Sequence, residues 1–185
     1  MTGYDLPSSL HIGNREYRIR TDFRDILNIL IAMNDPDLDM QCKAAVLLKI
    51  LFPEWSQIPP EHLEEAYRKA CDFIDCGQKD DGKSHPGTVD WKQDAGIIIP
   101  AVNAIAHMEV RSLPHLHWWT FIGYFMEIRE SLFSSVLNIR QKRAKHQKLE
   151  KWEQDFYREN RDIIDLKKKD SEESLQEKEH LLKWL

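Results

Sequence analysis

Apolar residues recur at three- and four-residue spacing along most of this chain, which is the periodicity of helices that bury one face. One early segment differs. Residues 10–19, LHIGNREYRI, alternate between apolar and polar side chains on either side of Gly13 and Asn14, and this pattern predicts a small β-hairpin. Five helices are predicted after it, each with its own start signal: Thr21, Asp37 or Asp39, Pro60, Asp90 and Pro114.

The apolar faces of these helices predict a single core. Gly77 is placed to end the third helix through a left-handed cap, and Pro100 predicts a kink within the fourth helix. Trp118 begins an aromatic face that Leu132, Val136 and Ile139 can continue. Ten residues are predicted to form the core: Phe23, Leu30, Leu48, Tyr67, Ile74, Ile98, Val102, Trp118, Phe121 and Phe125.

After Ile139 the density of apolar residues falls sharply. From Arg140 onward the strongly apolar residues are sparse and spaced like the narrow seam of an exposed helix that meets one partner. Trp119 lies roughly 100° around its helix from Trp118, at the core margin or on a partner surface. Five residues are therefore predicted to contact a partner: Trp119, Leu149, Trp152, Phe156 and Ile163.

The chain is predicted to be an all-α helical bundle with a small N-terminal β-hairpin and a long charged C-terminal helix. The arm with the hairpin covers residues 1–20 and the bundle covers 21–139. The extended amphipathic helix follows at 140–169, and a charged tail at 170–185 ends in four apolar residues that form a predicted docking segment: Leu181, Leu182, Trp184 and Leu185. Residues 78–88 lack periodicity and are predicted to be a mobile loop.

Charge is unevenly distributed along the chain. The net charge is −5, yet residues 140–151 hold six basic side chains against one acidic one: Arg140, Lys142, Arg143, Lys145, Lys148 and Lys151. This electrostatic patch is interpreted first as a solvated face with ion pairs along the helix, and then as a site for an acidic protein helix or a nucleic acid. The acidity of the whole chain makes a nucleic-acid partner the weaker interpretation.

Neither catalytic residues nor a cofactor or metal site are predicted. His115 and His117 lack the further ligands that zinc needs, so packing and capping are the favoured roles. Cys71 and Cys76 lie on different faces of a predicted helix, and an odd total of three cysteines without a signal peptide indicates a reduced, cytoplasmic setting. No apolar run approaches the roughly 20 residues that span a bilayer.

Three segments carry a resemblance to a known family. TDFRDIL at 21–27, VDWKQDAGII at 89–98 and HWWTFIGYF at 117–125 resemble, in order and spacing, the bacteriophage gene-product-fifteen family. The similarity covers roughly residues 15–165. Its more specific parts are the motif from Asp90-Trp91 to Asp94 and the motif His117-Trp118-Trp119.

This resemblance implies a tail-morphogenesis protein of long-tailed phages, encoded between the tail tube protein and the tape measure protein. The expected function is a non-enzymatic tail assembly chaperone that engages the tape measure or tail tube protein through the extended helix. The second interpretation is a structural tail or connector component of the virion, which would self-associate through the same helix. No catalytic residues are implied.

Overall fold

The computed structural model describes residues 5–77 and 87–167, and these form a mostly helical fold with one N-terminal β-hairpin. The strands are β1, Ser9–Ile12, and β2, Arg15–Arg18. The helices are α1 (Phe23–Met33), α2 (Met40–Leu51), α3 (Leu63–Ile74), α4 (Ala95–Ala106), α5 (Trp118–Met126), α6 (Leu132–Ala144), α7 (Lys151–Glu159) and the single turn α8 (Arg161–Ile164). Predictions for 78–86 and for 168–185, including the docking segment, lie outside the described residues.

The predicted hairpin is confirmed, with β1 and β2 antiparallel and Ile12 opposite Arg15. Gly13 occupies the first turn position with φ of +55°, a conformation that glycine adopts without steric cost. A Cβ at this position would lie 2.8 Å from Nε2 of His62, so the hairpin turn packs closely on the start of α3. Glu65 of α3 accepts the Gly13 N–H at 2.9 Å and fixes this contact.

The core forms mainly between α1, α2, α3, α4 and α5. Seven of the ten predicted core residues are buried: Phe23, Leu48, Ile74, Ile98, Val102, Trp118 and Phe121. Leu30, Tyr67 and Phe125 are partly buried and pack against the same cluster. Phe23 stacks on Phe121 with ring centroids 4.6 Å apart, which links the first helix directly to α5.

Several helix starts differ from the predicted ones by a few residues. Asp22 rather than Thr21 caps α1, because its carboxylate accepts the Arg24 N–H. Asp39 caps α2, and Pro60 opens a short 3₁₀ turn that leads into α3. Asp90 organises the turn before α4 instead of capping the helix, because its carboxylate accepts the backbone N–H groups of Lys92 and Gln93.

Two longer helical predictions are not confirmed. The face that begins at Trp118 is divided, because Ser131 and Ser134 form a capping box that starts α6 as a separate helix. The extended helix over 140–169 is divided as well. His146 adopts φ of +53°, and α6 therefore ends before a connection of irregular backbone that leads to α7.

A second, smaller cluster joins the C-terminal helices to the bundle. Val136, Ile139 and Ile164 are buried in it, and α8 packs against α6. The part of the chain predicted to extend into solvent therefore folds back on its own subunit. Among the described helices, none combines the length and the apolar character that crossing a bilayer requires.

Candidate interaction surfaces

The first and third of the three sequence motifs meet in a short strand-like contact. Asp22 and His117 form a single antiparallel bridge, in which the Phe23 N–H donates to the Leu116 carbonyl at 2.9 Å. The Asp22 carboxylate accepts the N–H of Leu116 at 3.0 Å and that of Arg24 at 3.0 Å. One aspartate thus starts α1 and holds the segment before α5, so the first and third motifs form one contact in the fold.

His117 connects this contact to the N-terminal arm. Its Nδ1 accepts the Trp119 N–H at 3.0 Å, and its Nε2 lies 3.0 Å from the Pro7 carbonyl. Because a carbonyl only accepts, Nε2 carries the proton and the ring is neutral. Burial lowers the pKa of His117, and the nearby His115 lowers it further. The ring therefore caps α5 and binds the N-terminal arm. Capping and packing are the roles that the sequence analysis favoured for this histidine.

The two adjacent indoles bind the end of α3. Trp118 Nε1 donates to the Ile74 carbonyl at 2.8 Å, and Trp119 Nε1 donates to the Phe73 carbonyl at 2.8 Å. Both carbonyls belong to the last turn of α3, where the i+4 hydrogen bonds of the helix end, and the Phe73 carbonyl also accepts the Cys76 N–H at 3.1 Å. Trp119, a predicted partner-binding residue, is partly buried and held within its own subunit by this bond.

The second motif contributes a buried ion pair. Asp94 and Arg140 are joined by two hydrogen bonds of 2.6 and 2.8 Å, and their side chains are only 1% and 5% exposed. The remaining guanidinium donors bind the carbonyls of Thr88, Ile163 and Ile164 at 2.7 to 2.9 Å. All five donors of Arg140 are used, and one side chain ties α4, α6 and α8 together.

The electrostatic patch is consequently smaller than predicted. Arg140 is buried, so its assignment to a surface patch is wrong. Lys142 binds Glu153 at 2.6 Å, and Arg143 pairs with Asp165. Three of the six cations are exposed and form no ion pair within residues 5–77 and 87–167: Lys145, Lys148 and Lys151.

The Glu153 side chain of α7 is held by two side chains of α6, those of Asn138 and Lys142. It is fully buried, although the sequence places it in a charged face. Burial raises the pKa of this carboxyl, but hydrogen bonds from Lys142, from the Glu150 N–H and from Asn138 lower it by more. The net shift is downward, so the carboxylate stays charged inside the α6–α7 contact.

The predicted partner seam is largely internal. Leu149, Phe156 and Ile163 pack against the smaller cluster around Val136 and Ile139. Trp152 alone of the seam projects from the molecule, with 56% of its surface exposed. Lys145, Lys148 and Lys151 precede Trp152 in the sequence and are exposed as well, and these four residues are here named the Trp152 knob.

A concave surface lies on α2 and α3, and the sequence did not single it out. It is an open groove of about 400 Å³, here named the α2–α3 groove. Its lining residues are Gln41, Ala44, Ala45, Leu48, Trp55, Leu63, Glu64 and Tyr67. The apolar lining follows ordinary helical spacing, so it resembles a core face in sequence. Only the structure shows that Met40 and Trp55 are 66% and 40% exposed beside this groove.

Among residues 5–77 and 87–167, no group of three or more His, Cys, Asp or Glu side chains is arranged to hold a metal ion. Cys71 and Cys76 are free and partly buried, and burial raises the pKa of both thiols. Such thiols are poor nucleophiles because the reactive form is the thiolate.

A family model described as Bacteriophage Gp15 protein matches residues 4–166. The match includes all three sequence motifs, both ends of the buried Asp94–Arg140 pair and all of α7. Neither the curated proteins nor the solved structures gave a match.

Proposed function

Since the chain belongs to the bacteriophage Gp15 protein family, we propose that it is a non-enzymatic tail assembly chaperone that binds the tape measure or tail tube protein. The observation that carries this proposal is the open α2–α3 groove. An amphipathic helix buries its apolar side chains in a groove of this kind. In this proposal the tape measure protein is a long helical client whose apolar side chains are shielded by the groove until assembly. The gene position that the family resemblance implies agrees with this role.

The charge around the groove indicates which client segment it suits. Residues 37–75, which include both groove helices, contain eight acidic and four basic side chains. Two of the acidic side chains are paired with cations, and the Lys49 ammonium lies over the ring of Trp55 at the groove. Glu64 lines the groove itself and is exposed, without an ion pair among the described residues. A client helix with apolar residues on one face and Lys or Arg beside them therefore complements this surface.

Groove substitution in a co-expression experiment tests this function. Ala45 is exposed on α2 and lines the groove, so Ala45→Lys fills the groove with a cation while keeping good helix propensity. We expect client affinity to fall about tenfold or more, as for loss of a central interface contact. The readout is the amount of soluble tape measure protein recovered in complex with the chain.

Met126→Ala provides the matched control, because Met126 is 50% exposed and lies outside the groove. Equal recovery of the client with Ala45→Lys and with Met126→Ala would contradict the groove as the client site. Mass spectrometry of purified virions adds a second check, since a chaperone leaves before maturation. Stoichiometric amounts of the chain in virions would instead support the structural tail or connector component.

A further inference from the structure

The Trp152 knob and the α2–α3 groove lie on different parts of the molecule. The groove is lined only by residues of α2, α3 and the turns between them. The knob is on α7 and the connection before it, which pack on α6 and α8. A single copy holds the exposed indole and the apolar groove apart, so each is open to another molecule.

One surface offers an exposed indole with basic neighbours, and the other offers an apolar groove with one acidic lining residue. The knob offers one large aromatic side chain, which combines a big apolar surface with few rotatable bonds. The groove is apolar along its walls. Lys145, Lys148 and Lys151 precede the indole in sequence and are exposed, whereas the charged side chain among the lining residues of the groove is Glu64.

We propose that Trp152 of one copy inserts into the α2–α3 groove of a second copy, with the knob lysines facing Glu64. The contact is heterologous, because a knob meets a groove rather than a second knob. Such a contact leaves one free knob and one free groove after each addition, so copies associate head to tail until a ring closes. One indole and a few exposed charges bury little surface, and the association is correspondingly weak and salt-sensitive.

Head-to-tail association also regulates the client site, a consequence that rests on the proposed function. A groove filled by Trp152 of a neighbour is closed to a client helix, so a client must displace the neighbouring copy. The unoccupied chaperone then keeps its apolar groove covered until the client is made.

Sedimentation velocity of the full chain over a concentration series tests the contact. We expect wild type to form species that grow with concentration and shrink with added salt. Trp152→Ala and Ala45→Lys should each weaken association by about tenfold or more, while Met126→Ala should associate as wild type does.

Mixing the two variants gives the sharpest readout. Trp152→Ala retains only a working groove, and Ala45→Lys retains only a working knob. Their equimolar mixture should therefore give a one-to-one heterodimer that does not grow further, although each variant alone is monomeric. A monomeric wild type, or association that Trp152→Ala removes and Ala45→Lys leaves intact, would overturn the proposal.

Client binding by Trp152→Ala separates this inference from the proposed function. A variant that stays monomeric, binds the client and shows the heterodimer on mixing supports both. If the heterodimer forms and no variant binds the client, the self-association stands and the chaperone function fails. If the client binds and no heterodimer forms, the chaperone function stands and the self-association fails.

Discussion

At the residue scale, the Asp94–Arg140 pair carries the greatest consequence for stability. Asp94→Asn keeps the side-chain shape and removes the charge, which leaves a buried guanidinium without its counterion. Removal of one partner from a buried pair costs about 3–5 kcal/mol. We therefore expect the free energy of unfolding of Asp94→Asn, measured by urea titration, to fall by that amount.

The matched control for this prediction is an ion pair at the surface. Arg129 and Glu127 lie 3.7 Å apart, with side chains 77% and 68% exposed. Exposed pairs contribute at most about 1 kcal/mol, so Arg129→Met should change the free energy of unfolding only slightly. Equal effects of Asp94→Asn and Arg129→Met would show that the buried pair does not hold α4, α6 and α8 together.

His117 gives a pH dependence whose sign follows from its lowered pKa. Below the unfolded-state pKa of about 6.5, the unfolded chain binds a proton that the folded chain excludes. Stability contributed by the neutral ring is thus fully present above that pH and declines as the pH falls toward the folded-state pKa. His117→Asn keeps an N-cap acceptor and removes the titration, so the melting temperature should fall less between about pH 7 and pH 5. Parallel profiles for wild type and variant would refute this role.

At the scale of elements, periodicity identified the faces of the helices better than their ends. The hairpin and the stripes of α1 to α3 could be predicted, because apolar spacing and turn residues are local signals. The break after Ala144 could not, since no Gly or Pro marks it and the left-handed residue is His146. The Asp94–Arg140 pair spans 46 residues of sequence and has no local signature at all.

A substitution at His146 distinguishes one continuous helix from two. In the structure His146 has φ of +53°, a conformation that costs a residue with a Cβ roughly 1–2 kcal/mol and glycine almost nothing. His146→Gly should therefore raise the free energy of unfolding, by up to about 1 kcal/mol after the entropy of the unfolded chain is included. His146→Val should lower it, as a β-branched residue fits this conformation worst.

A continuous helix over 140–169 would give the opposite order, because glycine is among the poorest residues inside a helix and valine is tolerated there. Thermal unfolding of the two variants beside wild type decides between these outcomes. The comparison needs no partner and no client, so it tests the backbone of this connection alone.

At the scale of the whole molecule, the C-terminal helices are part of the folded subunit rather than a free rod. A chain that ends at Gln147 loses α7 and α8, which exposes Val136 and Ile139 and deprives Arg140 of two carbonyl acceptors. Each buried aliphatic side chain contributes about 1.5–3 kcal/mol. A chain that ends at Lys167 is the matched control, because it keeps every contact that the structure describes for the second cluster. We expect the shorter chain to unfold at least about 3 kcal/mol more easily than the longer one in urea. Equal stability of the two chains would instead show that α7 and α8 are dispensable for the fold, and the Trp152 knob would then lack the rigid base on which its insertion into a neighbouring groove depends.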